Sequence, residues 1–311
     1  MTHFSSNVVK SFLDTLAPKS DNKQIIFLSD DWGSIRIRSK RDQEVLQKKG
    51  IKIDNRFNQY DSIETNRDLE LLFEVLNRHK NKRGKRPVLT AVTNVGNPDF
   101  EKIEKNHFQH YYYETIRNTY DRYAESDNVL KLMEEGTKDG IFDNQLHGRE
   151  HIQYHWWMSE LQKPDSMARS CFKNEFMALS SDYLPSKFNG LSMGAAFNIY
   201  DRSEIDEHKN TLRDSVNIYR ALFKKKPVNF TPPAVYYHKS LHDTVDDLGI
   251  DWLDVPRYFK MPIGSGWSVP KLNYFGKSPI GRNFSFLVRN CVFEPNMTSD
   301  SDGVDRCLTM I

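Results

Sequence analysis

An α/β fold built on a parallel sheet is what the sequence predicts, on two observations. Short apolar runs alternate with segments whose apolar residues recur at helical spacing, and each apolar run ends in polar residues. The chain has 311 residues, enough to bury a large core. No internal repeat or low-complexity segment divides it, so one domain over 1–311 is expected.

The elements follow in order. The first 20 residues have the pattern of a short amphipathic helix, and QIIFLS (24–29) reads as a buried strand. SIETNRDLELLFEVLNRHK (62–80) reads as a helix capped by Ser62, and RPVLTAVTNV (86–95) as the second strand. YYY (111–113) falls in a helical pattern and reads as core plus surface. GIFDNQLHG (140–148) is a third strand, leading into the helical run REHIQYHWWMSELQ (149–162). The stretch 165–202, irregular and rich in Ser, Phe and Met, reads as an inserted loop or helical segment. EIDEHKNTLRDSVNIYRALFKKK (204–226) is a long helix and PVNFTPP (227–233) a strand. SLHDTVDDLG (240–249) is a helix closed by Gly249 and followed by the strand IDWLDV (250–255). KLNYFGKSPIGRNFSFLVRNCVFEP (271–295) reads as a late β-hairpin around a Gly/Pro/Ser turn. The last twelve residues start a helix with Val304, Leu308 and Ile311 on one face and no closing signal, which suggests that the fold continues past Ile311.

Charge and cysteine usage exclude several classes. A net charge of +2 argues against a dedicated nucleic-acid binder, and the basic runs NKRGKRP and FKKKP read as solvated loops. Cys171, Cys291 and Cys307 are too few and too scattered for a disulfide framework or a cysteine metal site. No run reaches the roughly 18 apolar residues of a membrane span. The N-terminus lacks the apolar core of a signal peptide, so a cytoplasmic protein is expected.

Two features carry chemistry. Asp30 and Asp31 end the first strand, where ligands bind in parallel α/β folds. Adjacent carboxylates repel, and their burial needs a compensating cation or donor; the alternative is one cap and one solvated side chain. His147 and His151 are four apart, a spacing that on a helix puts both imidazoles on one face, and His155 continues the stripe. Two histidines plus a carboxylate from elsewhere make a divalent-metal triad. The same spacing at His238 and His242 shows how little the pair means alone, but His147 directly follows a strand and sits in a His-Gly turn.

With LSDDWG after the first strand and HGREH after a later one, the chain resembles the polysaccharide deacetylase superfamily of the NodB-homology type (carbohydrate esterase family 4). Gly148 stands where that family usually has Ser or Thr. The resemblance implies an irregular (β/α) barrel of about seven parallel strands. It implies Asp31, His147 and His151 as ligands of a divalent metal, most commonly Zn²⁺, with Asp30 as the catalytic base. It also implies removal of acetyl groups from an N- or O-acetylated glycan or glycan precursor.

Two family features are missing. NFTPPAVYYHKSLHDTVDDLGIDWLDV (229–255) keeps the proline pair but has no Arg, so Arg36 or Arg149 is expected to orient the base. No histidine follows His242, so either the strand that carries the family's leaving-group acid lies beyond Ile311, as the unfinished terminal helix suggests, or the acid is lacking. Trp32, Pro232, Pro233 and Tyr236 lie near the motifs and are candidates to bind the sugar, whose C–H faces stack on aromatic rings. Trp156, Trp157 and Tyr237 are either further stacking residues or core. Two other readings remain open: a glycosidase on a related barrel using Asp30 with Asp143 or Glu150, and a non-catalytic domain that binds glycan or protein.

Overall fold

The structure, a computed structural model, describes residues 15, 18, 24–53, 56–179, 193–264, 266–293 and 302–308. The helix expected over 1–20 lies almost wholly outside these residues, as does the segment 180–192 of the expected insertion.

Among the described residues, six strands form one parallel sheet. They are β1 (Phe27–Trp32), β2 (Leu89–Asn94), β5 (Phe142–Gly148), β6 (Asn229–Phe230), β7 (Trp252–Asp254) and β10 (Ser285–Leu287). They run in the order β1-β2-β5-β6-β7-β10 and curl into a half-barrel with helices packed on it. Two antiparallel ribbons complete the strand inventory: β3 (Gly96–Pro98) with β4 (Tyr113–Thr115), and β8 (Tyr258–Phe259) with β9 (Lys271–Leu272).

Which face each strand residue takes follows from what the helices cover. Leu146, Phe230 and Leu253 pack with Leu212, Val216 and Tyr219 of the helix Glu204–Phe223 and with Val245 of the helix His242–Asp247. Each such buried side chain contributes about 1.5–3 kcal/mol. Successive strand residues point to opposite faces, so the residues after these three, His147, Thr231 and Asp254, project to the other face. The site is assembled there.

Several expectations are corrected. The helix Asn66–Arg78 is capped by Thr65, not Ser62: Thr65 Oγ1 accepts from Asp68 N while Asp68 accepts from Thr65 N, a reciprocal capping box. The late hairpin is not formed as such. β9 pairs with β8, whereas β10 joins the main sheet beside β7, burying Phe284 and Phe286 in the core. The two arms meet where Gly276 N donates to Phe286 O and Phe286 N to Lys277 O, and where the hydroxyls of Ser278 and Ser285 lie 3.0 Å apart. Tyr113 opens a strand instead of lying in a helix. In the described parts of 165–202, which include the helix Met167–Phe172, the side chains of Ala168, Cys171, Phe172, Phe176, Met177 and Met193 pack with Trp156 and Trp157. No described helix is long and apolar enough to cross a membrane.

Candidate metal centre

β1 carries a bulge. Ser29 pairs with Ala91 and Trp32 with Thr93, so β1 takes one more residue than β2 over the same stretch. Asp31 adopts a left-handed backbone at φ 69°, a region that Asp tolerates better than most residues. This irregularity gives the two aspartates different surroundings.

Asp31 Oδ1 lies 2.9 Å from His147 Nε2 and 3.0 Å from His151 Nε2, while its Oδ2 accepts from Arg36 Nη2 at 2.5 Å. One ligand atom from each of Asp31, His147 and His151 lies within 4.8 Å of the others, the only such group among the described residues. The two histidines do not share a helix. His147 is in β5, His151 is in the loop after it, and the helix begins only at Tyr154, behind the cap Gln153. Gly148 lets the chain turn between them. Its φ is 120°, and a Cβ there would meet Phe197 Cε2 at 3.2 Å, which explains Gly where Ser or Thr was expected.

The donor set fits a divalent ion. His147 Nδ1 donates to Thr231 O at 2.6 Å, so in the neutral ring Nε2 presents a lone pair to the Asp31 carboxylate. Two lone-pair atoms at 2.9 Å need a proton or a cation between them, and a second-sphere carbonyl on the far nitrogen is the usual way to orient a metal-binding imidazole. His151 Nδ1 is buried with no hydrogen-bond partner, so nothing but packing competes with its Nε2 contact. Burial would raise the Asp31 pKa, yet His151, Arg36 and His147 together hold it well below the usual carboxylate range. Burial disfavours charge on both imidazoles. At His147 the neighbouring Asp31 outweighs it and raises the pKa; at His151 Arg36 adds to it and the pKa falls.

Asp30 faces a different cation. Arg289 Nη1 and Nη2 donate to its two oxygens, each at 2.8 Å, and Arg289 Nε donates to Asp254 Oδ2 at 2.7 Å. Asp254 is 2% exposed, and burial pushes its pKa up to about 6 against the pull of Arg289. Thr231 ties the two halves together: its carbonyl accepts from His147 and its hydroxyl donates to Asp254 at 3.2 Å.

The arginine that pairs with Asp30 is therefore neither of the two expected. Arg36 pairs with Asp31 rather than Asp30, because the turn after the bulge brings it back over that carboxylate. Arg149 is engaged by Glu150 at 2.6 Å and Asp214 at 2.9 Å, with its guanidinium 4.2 Å from the centre of the Tyr113 ring. Arg289 was missed because it stands 259 residues from Asp30 and no local pattern marks it. Trp32, partly buried, packs edge-on against Phe142 at the side of a core cluster, 5.3 Å between ring centres. Trp156, Trp157 and Tyr237 are buried. Pro233 packs beside Gly148, and Tyr236 lies against Trp267 at 5.0 Å, both rings half-buried. Pro232 is buried and its carbonyl accepts from Val235 N at 2.7 Å. The carboxylates that a glycosidase would need beside Asp30 are held elsewhere, Asp143 by Lys225 and Glu150 by Arg149.

No protein-family model matches the chain, and no curated protein matches it. Among solved structures it is similar to the 4-alpha-glucanotransferase from Thermococcus litoralis, at 10% identity over 75% of this chain and 23% of that one, TM-score 0.33. It is similar also to a polysaccharide deacetylase from Bacillus cereus, at 10% identity over 85% of this chain and 63% of that one, TM-score 0.35. A third is a de-N-acetylase from Aggregatibacter actinomycetemcomitans, at 9% identity over 84% and 91%, TM-score 0.34. The chain thus spans 23% and 63% of the length of the first two.

Proposed function

We propose that this chain is a metal-dependent hydrolase of polysaccharide deacetylase type, removing acetyl groups from an N- or O-acetylated carbohydrate. The observation that carries this reading is the convergence of Asp31, His147 and His151, with Asp30 beside them on its own cation. A divalent ion held by the three ligands, Zn²⁺ by the resemblance, supplies Lewis acidity that polarises a carbonyl and acidifies water near neutral pH.

The chain's own residues divide the remaining work. Asp30 accepts the proton of the water that attacks the acetyl carbonyl carbon. Arg289 holds the plane of that carboxylate through both oxygens, which fixes the lone pair's direction. Pro232 and Pro233 have no backbone N–H, and Thr231 N donates to Leu146 O, so Ala234 is the first backbone donor that this segment offers a developing oxyanion. β10 is the last strand of the sheet among the described residues, and Arg289 follows it. Asp30 then returns its proton to the leaving nitrogen or oxygen as the C–N or C–O bond breaks, acting as base and then acid. Tyr236 with Trp267 forms an aromatic pair suited to the apolar face of a sugar ring.

The test combines metal content with acetate release from an acetylated oligosaccharide. About one divalent ion per chain, lost in His147→Ala, and activity lost in Asp30→Asn with the metal retained, support the reading. Absence of a stoichiometric ion, or its retention in His147→Ala, overturns it.

A further inference from the structure

The turn that follows the left-handed Asp31 is gripped by residues outside the metal centre. Ser34 N donates to Asp31 O at 3.2 Å, closing a turn in which Gly33 has φ 75°. That turn is clamped by two side chains from distant parts of the chain. Gly33 N donates to Glu64 Oε1 at 3.0 Å and Oε2 at 3.2 Å, and the Tyr120 hydroxyl donates to Glu64 Oε1. Asn97, fully buried in β3, accepts from Ile35 N through Oδ1 at 3.0 Å and donates from Nδ2 to Gly33 O at 2.8 Å. The opposite needs of an N–H and a carbonyl leave this amide one orientation. Its Nδ2 also reaches Thr119 Oγ1 at 3.2 Å, and Thr119 donates to Glu114.

Resting on the metal-site reading above, we propose that Glu64 and Asn97 are positioning residues that set Asp31 and Arg36 for metal binding by gripping the turn between them. Asp31 lies two residues before the clamped stretch Gly33–Ile35 and Arg36 directly after it, and the 2.5 Å contact of Arg36 on Asp31 closes the ring. The turn has no slack: a Cβ on Gly33 would stand 2.7 Å from Asn94 O and 3.0 Å from Ile116 Cγ2. Glu64 is an expensive residue to place here, because burial raises its pKa and its bonds come from a backbone amide and a phenol rather than from a cation. A carboxylate that touches none of the three ligands, yet accepts the amide of the turn after Asp31, acts through that turn. Partners of this kind typically change metal affinity 10- to 100-fold.

The test uses the full chain and Zn²⁺ alone, titrated calorimetrically, with amide hydrogen exchange of the metal-free protein as a second measurement. Glu64→Ala and Asn97→Ala are expected to weaken Zn²⁺ binding by about tenfold or more and to lose protection at the Gly33 and Ile35 amides while Ala91 and Val92 in β2 keep theirs. Glu64→Gln keeps an oxygen where Oε1 serves both Gly33 and Tyr120, and it is expected to restore the wild-type affinity; a merely structural loss would track melting temperature and show no such rescue. Wild-type Zn²⁺ affinity in both alanine variants overturns the inference. If the wild-type chain itself binds no Zn²⁺, the metal reading falls instead, and unchanged protection of Gly33 and Ile35 in the variants removes the clamp as well.

Discussion

Arg289 and Asp30, 259 residues apart, meet through two parallel hydrogen bonds of 2.8 Å across the opening between β1 and β10. β1 and β10 are the two edges of the sheet, so this ion pair joins ends that no backbone ladder joins. The same guanidinium also neutralises Asp254, which is buried and would otherwise face Asp30 as a like charge.

Removing that guanidinium should separate chemistry from metal binding. Arg289→Ala is expected to lower kcat/KM for deacetylation by about 100-fold, the scale of a misplaced reacting group, while Zn²⁺ affinity stays near wild type. Arg289→Lys should not restore the rate, since a point charge cannot hold both oxygens. A lysine variant with full activity would show that charge alone suffices. Loss of the partner of buried Asp254 should also destabilise the fold by about 3 kcal/mol, read by denaturant unfolding.

Metal binding should appear as stability. Zn²⁺ at 100 times its dissociation constant stabilises the folded chain by about 2.7 kcal/mol, a rise of about 5 °C in Tm for a domain of this size. Asp31→Asn should abolish the rise. An equal rise in this variant would place the ion elsewhere.

Acid should act through two groups of opposite sign. His208 is 2% exposed, and burial pushes its pKa down from 6.5 to about 3. It stays neutral in the fold while the unfolded chain takes up a proton, so its contribution is complete above pH 6.5 and is lost as pH falls toward 3. Asp254, raised from 3.8 to about 6, contributes stability that is fully present below 3.8 and is lost as pH rises through 6. In metal-free protein, His208→Gln should flatten the loss of Tm on acidification, and Asp254→Asn should steepen it. Parallel curves for all three proteins would refute both assignments.

The sulfurs of Cys291 and Cys307 approach to 2.9 Å, whereas Cys171 is buried in the main core. Glutathione disulfide is expected to oxidise that pair, being reduced to two thiols as the bridge forms and leaving one titratable thiol per chain. Closing a loop of 16 residues should stabilise the fold by about 3 kcal/mol. Three thiols in denaturant after such treatment would rule the bridge out.

The parts of the site that could be read from sequence are those written locally. LSDDWG and HGREH name the ligand set because each is contiguous and each follows a strand. The histidine spacing suggested one helix face, but β5 runs on to Gly148 and the helix waits for the Gln153 cap. Asp31, His147 and His151 converge because β1 and β5, the parallel strands on either side of β2, end at the same edge of the sheet. Arg36 follows the first motif and Arg149 lies inside the second, but the contact was settled instead by where β10 docks. That docking is a parallel pairing, which no hairpin-like pattern of turn residues can announce. The three tyrosines at 111–113 misled in the same way: Tyr113 is in a strand, and its ring packs against Arg149.

The clasp between Asp30 and Arg289 also has a consequence for the order of events during synthesis. Asp30 leaves the ribosome long before its partner, so its carboxylate stays unoriented while the intervening 258 residues are made and its half of the sheet collapses. Closing a contact of such high sequence separation is slow. Deacetylase activity in a refolding reaction should therefore lag the recovery of helical signal and keep step with the docking of β10. The chain would hold its metal early and become competent late.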